Sequence, residues 1–344
     1  MFTPGKIASL KLPNRFVRSA TAEFAANDDG TIIKEYEPLY SDLAKGGAGF
    51  IIQGHLYILD EGKAHDKMAG IASDLHVTGL KRLTRLVHET GTGSAIAAQL
   101  NHGGAESVST KTASPLEDAK VKVMTEVDIE NVIEGFRGAA GRAKKAGYDA
   151  IQIHAAHGYL ISQFLSARTN RRTDSWGGSL ENRVQLLLSV YHAIRSTVGS
   201  TFPVLAKMNG SDEPLTGFPV EESSKVAKWL AGEGLDALEV SGTRSTRPVP
   251  ESKEAYFVPT ARVIKKQVGD MPLIVVGGMR SFKMMQQLRR EFIDFISMSR
   301  PFIREPDIVQ KFKAGKKRAD CISCNKCFKA PVIISCLEKE SPGE

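Results

Sequence analysis

The stretch VIEGFRGAAGRAKKAGYDAIQIHA, residues 132–155, holds one full cycle of the pattern that organises the chain. Its first part, VIEGFRGAAGRAKKAGY, repeats apolar residues at three- and four-residue spacing, as a helix covering a sheet requires. Ala146-Gly147 then closes the helix, because a residue without Cβ suits the left-handed cap. DAIQIHA (149–155) follows as a short apolar run that ends in polar chemistry, and reads as a strand. The same kind of run recurs as NRFVRSA (14–20), AGFIIQG (48–54), SAIAAQL (94–100), FPVLAKM (202–208), DALEVSG (236–242), PLIVVGG (272–278) and DFISMSR (294–300), eight in all.

Helical stretches such as LENRVQLLLSVYHAIRSTVG lie between these runs, with Gly again at the joints in Lys45-Gly46-Gly47 and Glu233-Gly234. Eight strands alternating with helices, without a linker-like break in composition, predict a closed (β/α)8 TIM barrel. The competing open, doubly wound sheet wants a Gly-rich first turn, and no GxGxxG follows Asn14–Ala20. KIASLKL (6–12) reads as a hairpin across the barrel's N-terminal mouth. The expected division is a barrel over 1–318 and a Cys-rich tail over 319–344.

Composition sets limits on partners. Of 344 residues, 42% are hydrophobic and 25% charged, as in an ordinary globular chain. No apolar run approaches the 18 or so residues of a membrane span, and MFTPGKIASLKLPNRF lacks the apolar segment of a secretory signal. A cytoplasmic protein with no membrane partner is the expectation. A net charge of +7 favours anionic ligands, phosphates above all. The basic run KFKAGKKR (311–318) reads as the solvated end of a helix, and no basic stripe with interleaved aromatics points to nucleic acid. All four cysteines lie in the last 24 residues, which points to metal or redox chemistry and away from a disulfide framework.

Active sites of such barrels sit at the C-terminal ends of the strands. Strand seven ends in Gly277-Gly278 and strand eight in Ser299-Arg300, where barrels frequently hold phosphate. Glycines let backbone N–H groups approach phosphate oxygens, and an arginine adds charge-assisted hydrogen bonds. Lys207 ends strand five; a cation there needs an anion, either one that develops during reaction or a neighbouring carboxylate. Gln99 offers a donor and an acceptor, which suits a planar heterocycle or a satisfied polar core. HAAHGYL lacks the Glu of HExxH, so His154 and His157 read as two donors toward a carbonyl or oxyanion, with Tyr159 as a nearby acid.

HAAHGYLISQFLSARTNRRTDSWGGSLENR (154–183) closely resembles the long motif of the old yellow enzyme family, the FMN-dependent NADH:flavin oxidoreductases and ene-reductases. The resemblance runs from LPNRFVRSAT to GGMRSF and Ser299-Arg300, about the first 310 residues. It implies FMN at the C-terminal mouth, with Ser19, Ala20 and Thr21 along the flavin and Gly54 and Gln99 at the isoalloxazine edge. Lys207 would face flavin N1 and O2, and Gly277, Gly278, Ser299 and Arg300 would cradle the phosphate. By the same resemblance His154 and His157 bind the substrate carbonyl and Tyr159 donates a proton. NAD(P)H would supply hydride, and an activated alkene or similar small-molecule acceptor would take it. Relatives are often homo-oligomers.

The sequence also departs from the pattern. Ala22 and Phe24 stand where many bacterial members carry Cys and Tyr, and RSATAE looks more like the branch of dienoyl-CoA reductase and trimethylamine dehydrogenase. That branch carries a 4Fe–4S cluster after the barrel and a further FAD/NAD domain, which the end at Glu344 leads us not to expect here. Cys321, Cys324, Cys327 and Cys336 resemble the cluster segment with altered spacing, C-x2-C-x2-C-x8-C; a cluster, a structural zinc or metal-free thiols all fit it. Two rival functions remain at this stage. One is a flavin-free aldolase or isomerase acting on a phosphorylated substrate, with Lys207 as its reactive amine; the other is a zinc module with KFKAGKKR as a nucleic-acid contact.

Overall fold

The computed structural model describes residues 1–108, 113–115, 122–212, 217–242 and 254–340, so the last four residues of the tail, 341–344, lie outside it. All eight runs form strands: β1 (Phe16–Arg18), β2 (Phe50–Ile52), β3 (Ala95–Asn101), β4 (Ala150–Ala155), β5 (Val204–Asn209), β6 (Ala237–Ser241), β7 (Leu273–Val275) and β8 (Phe295–Met298). Each pairs in parallel with its sequence neighbour, and β8 pairs with β1, which closes the barrel. The expected TIM barrel is the fold.

The helices take the expected places between strands: α1 (Tyr36–Lys45), α2 (Val77–Glu89), α3 (Glu126–Lys145), α4 (Gln185–Val198), α5 (Val220–Gly232), α6 (Val258–Lys265) and α7 (Phe282–Glu291). In α3 the start is fixed by a capping box, with Thr125 Oγ1 accepting from Asp128 N–H and Asp128 Oδ2 accepting from Thr125 N–H. Ile129, Val132, Phe136, Ala139, Ala140 and Ala143 form its buried face, and Gly147 ends it at φ 84°.

Strand alternation sends one column of each strand into the barrel and the other toward the helices. The inward columns are apolar at the N-terminal end, where Val17, Phe50, Ala97, Ala150, Leu205, Ala237, Ile274 and Phe295 pack together. Ile7 and Leu12 close that end; they belong to the hairpin Gly5–Ile7 with Leu10–Leu12, which plugs the mouth as expected. Two residues further along, six of these eight columns turn polar, at Ser19, Gln99, Gln152, Lys207, Glu239 and Ser297, and this change puts chemistry at the C-terminal mouth.

Candidate active site

The polar layer begins with Gln99, Gln152, Lys207, Glu239 and Ser297, each at most 2% exposed. Glu239 sits at its centre. Its Oε1 accepts from Ser19 Oγ at 2.7 Å and Ser297 Oγ at 2.8 Å, and its Oε2 from Gln152 Nε2 at 2.9 Å. Lys207 Nζ donates to Ser19 Oγ at 2.8 Å and stands 3.6 Å from Glu239 Oε1. Burial pulls the lysine below its usual range, while Glu239 opposes that shift. Lys207 is therefore half of a buried ion pair, the carboxylate partner that its position required. Gln99 Nε2 donates to Gln152 Oε1 at 2.7 Å, which orients the amide.

Above this layer a cavity of about 650 Å³ opens, walled by Ser19, Ala20, Thr21, Gln99, His154, His157, Tyr159, Lys207, Gly277, Gly278, Ser299 and Arg300. Twelve of the thirteen expected barrel-site residues thus meet in one place. Gly54 is the exception. Its N–H donates to Glu23 Oε1 at 3.1 Å, behind the cavity wall, and a Cβ there would collide with the Glu23 carboxylate. Glu23 also accepts from Tyr40 Oη at 2.5 Å and lies 3.5 Å from Arg18, so Gly54 serves a buried polar cluster in this structure.

At one end of the cavity Gly277 and Gly278 have φ of 125° and 68°, a backbone that L side chains rarely adopt. Neither N–H finds an acceptor among the described residues. Ser299 joins them through its hydroxyl, 2.7 Å from Thr21 Oγ1. Arg300 donates to Asn325 Oδ1 at 2.7 Å, so the tail holds its guanidinium at the cavity wall. Arg280, buried and cavity-lining, is a second cation there, 3.4 Å from Glu254. It was legible in GGMR only as a residue after the glycines. Two bare backbone donors with two arginines fit a phosphate group, and the long cavity from there to Gln99 and Lys207 fits a flavin mononucleotide.

At the other end stand the imidazoles. His154 is 3% exposed; burial first, then His157, His55 and Lys207, push its pKa well down, so the ring is neutral. Its Nδ1 accepts from Ala156 N–H at 3.3 Å, which leaves the proton on Nε2. His157, at φ 64°, places its Nε2 2.8 Å from Ser241 Oγ, and its N–H donates to Asn209 Oδ1 at 3.1 Å. The His154 and Tyr159 ring centres are 5.0 Å apart, as are those of His154 and His157. His55 was visible only as a polar residue at the end of strand two. Its ring lies 5.1 Å from Tyr159, with Nδ1 3.1 Å from Asn101 Nδ2.

The tail does not stand apart from the barrel. Ser323, Asn325, Phe328 and Lys329 belong to the wall of the same cavity. Cys321, Cys324, Cys327 and Cys336 are free thiols that line a second, small cavity shared with Arg300 and Arg304. Burial pushes the Cys327 thiol up to about 11 and the Cys321 thiol above its usual range. Although the thiols share this cavity, among the described residues no group of three or more His, Cys, Asp or Glu side chains stands as a metal-ligand set. Nor, among those residues, is any helix long and apolar enough to cross a membrane.

Residues 1–319 match the model of the NADH:flavin oxidoreductase / NADH oxidase family. An NADPH dehydrogenase of Bacillus pumilus is 33% identical over 318 residues, covering 89% of this chain and 92% of that protein. A Thermoanaerobacter brockii NADH oxidase is 32% identical over 94% of this chain, which spans only 52% of that longer relative. The solved old yellow enzyme homologue of Zymomonas mobilis superposes with a TM-score of 0.79 at 25% identity, over 93% of this chain and 94% of that one. The chain therefore belongs to the FMN-dependent NADH:flavin oxidoreductase / NADH oxidase family, whose cofactor the cavity is shaped to take.

Proposed function

We propose that this oxidoreductase takes hydride from NADH or NADPH and delivers it to an alkene conjugated with a carbonyl group. The observation that carries the reading is the placement of His154, His157 and Tyr159 across one cavity from Lys207 and the Gly277-Gly278 backbone. The names of the nicotinamide-using relatives support the donor. Bound FMN supplies the hydride relay between donor and acceptor. The chain's own residues do the rest.

Gly277, Gly278, Arg280 and Arg300 would hold the phosphate, Gln99 the ring edge, and Lys207 the pyrimidine side, where negative charge gathers on reduction. His154, neutral with its proton on Nε2, donates to the acceptor's carbonyl oxygen and draws electron density from the β-carbon. His157 Nε2 would share its bond with Ser241 and join the same oxygen. Hydride then arrives at the β-carbon and Tyr159 protonates the α-carbon, so the C=C bond gains one hydride and one proton. A cytoplasmic setting suits a chain drawing on soluble nicotinamide.

Rapid-mixing kinetics on the FMN-loaded enzyme separate these roles. Tyr159→Phe should slow reoxidation by an enone about 100-fold, the ordinary worth of a positioned acid, while reduction by NADPH keeps its rate. Equal slowing of both half-reactions removes Tyr159 from the acid role. His154→Ala with His157→Ala should weaken phenol binding with FMN still bound, and unaltered phenol affinity refutes the anchor.

A further inference from the structure

Beyond the carbonyl anchor the cavity wall continues as a run of rings. Tyr159 stands 5.1 Å from His55, His55 5.6 Å from His65, His65 4.5 Å from Phe24, and Phe24 6.3 Å from Phe328, edge-on at 83°. All five line the cavity of about 650 Å³. The last ring comes from the Cys-rich tail, more than 300 residues from Phe24 in sequence.

Two features define this wall. Phe24 has φ 55°, a conformation that a bulky residue adopts only where its surroundings impose it. Both nitrogens of His65 are buried and lack a hydrogen-bond partner among the described residues, and burial lowers its pKa to about 4. His65 therefore presents the cavity with a neutral ring that acts as an aromatic surface. Phe24 and Phe328 are 38% and 46% exposed, large apolar rings left open at the mouth of a polar site. Flat ring faces and edges at these separations suit another aromatic ring, in offset or edge-to-face contact.

We infer that the tail completes an acceptor subsite, and that the physiological acceptor carries an aryl group beyond its conjugated carbonyl. The inference rests on the carbonyl anchor proposed above. The carbonyl sits at His154 and His157, the reacting carbons follow, and the aryl group lies against the contiguous His65, Phe24 and Phe328 rings on the cavity side. In this arrangement the tail selects the acceptor, whatever its cysteines do.

The test uses the FMN-loaded full chain and needs no turnover. Phenol and 4-phenylphenol are titrated into the oxidised protein and followed by the flavin absorption change. 4-Phenylphenol should bind about tenfold tighter than phenol, the worth of two ring contacts. That advantage should shrink toward unity in Phe328→Ala and in Phe24→Ala. Phe328→Leu keeps apolar bulk without the ring and should recover only part of it; full recovery would reduce the subsite to nonspecific apolar contact and overturn the aryl assignment. The affinity of phenol itself reads the anchor, and the ratio reads the rings. Phenol binding with no 4-phenylphenol advantage, or with an advantage the variants keep, refutes the subsite alone. A protein that binds neither ligand refutes the anchor and the subsite with it.

Discussion

Glu239 determines how Lys207 behaves. A buried charge is costly alone, and the approach of Glu239 to 3.6 Å, with three further donors on its carboxylate, offsets that cost for the Lys207 ammonium. In the proposed site the pair would present the flavin with a cation whose field is largely cancelled from behind. Glu239→Gln removes the cancelling charge and keeps the shape. The FMN midpoint potential should then rise, by about 30 mV for each 1.4 kcal/mol by which the reduced form gains. Lys207→Met should lower it. Spectroelectrochemical titration of both variants decides the matter, and a fall or no movement in Glu239→Gln would exclude the pairing as a determinant of potential. Lys207 was legible in the sequence because it ends an apolar run. Glu239 was missed because DALEVSG reads as one apolar strand, although alternation places residue 239 on the same inward column as Ser241.

At the scale of elements, the eight strands were legible because each is an apolar run and several follow a glycine joint, and both signals are local. The inward columns Ala150–Gln152–His154, Leu205–Lys207–Asn209 and Ala237–Glu239–Ser241 could also have been written down from period two alone. What is not local was not legible. Gly54 was expected at the flavin, but the loop that bears Glu23 folds against it and takes its N–H. The place of the tail at the cavity was not legible, because nothing in CISCNKCF encodes its contact with Phe24 or Arg300. The glycine pair after β7 carries its own test. Gly277→Ala asks an L residue to hold φ 125° and drives a Cβ to 2.8 Å from the Phe257 ring. The backbone must turn, and its N–H would leave the phosphate proposed to sit there. FMN affinity, read by fluorescence titration of the stripped protein, should fall at least about tenfold with the circular dichroism unchanged. Wild-type affinity in Gly277→Ala would place the phosphate elsewhere.

For the whole molecule, the consequence of this polar mouth is sensitivity to acid. His154, His65 and His102 are all held neutral by burial, His65 and His102 with pKa values lowered to about 4. In the unfolded chain each titrates near 6.5. Between those values the unfolded state binds protons that the native state refuses, so stability falls as pH drops from about 6.5 toward 4, and it is flat for these groups above 7. His102 gives the cleanest reading, since it is 3% exposed and its shift has burial as the only cause. Its Nδ1 accepts from Gly104 N–H at 3.1 Å, a bond that the side-chain oxygen of asparagine can replace. Urea unfolding of the wild type and of His102→Asn at pH 7 and pH 5 isolates the term. The wild type should lose about 2 kcal/mol more than the variant between the two pH values. Equal losses would mean that His102 titrates normally in the folded protein, and that the mouth of the barrel admits charge more readily than its burial implies.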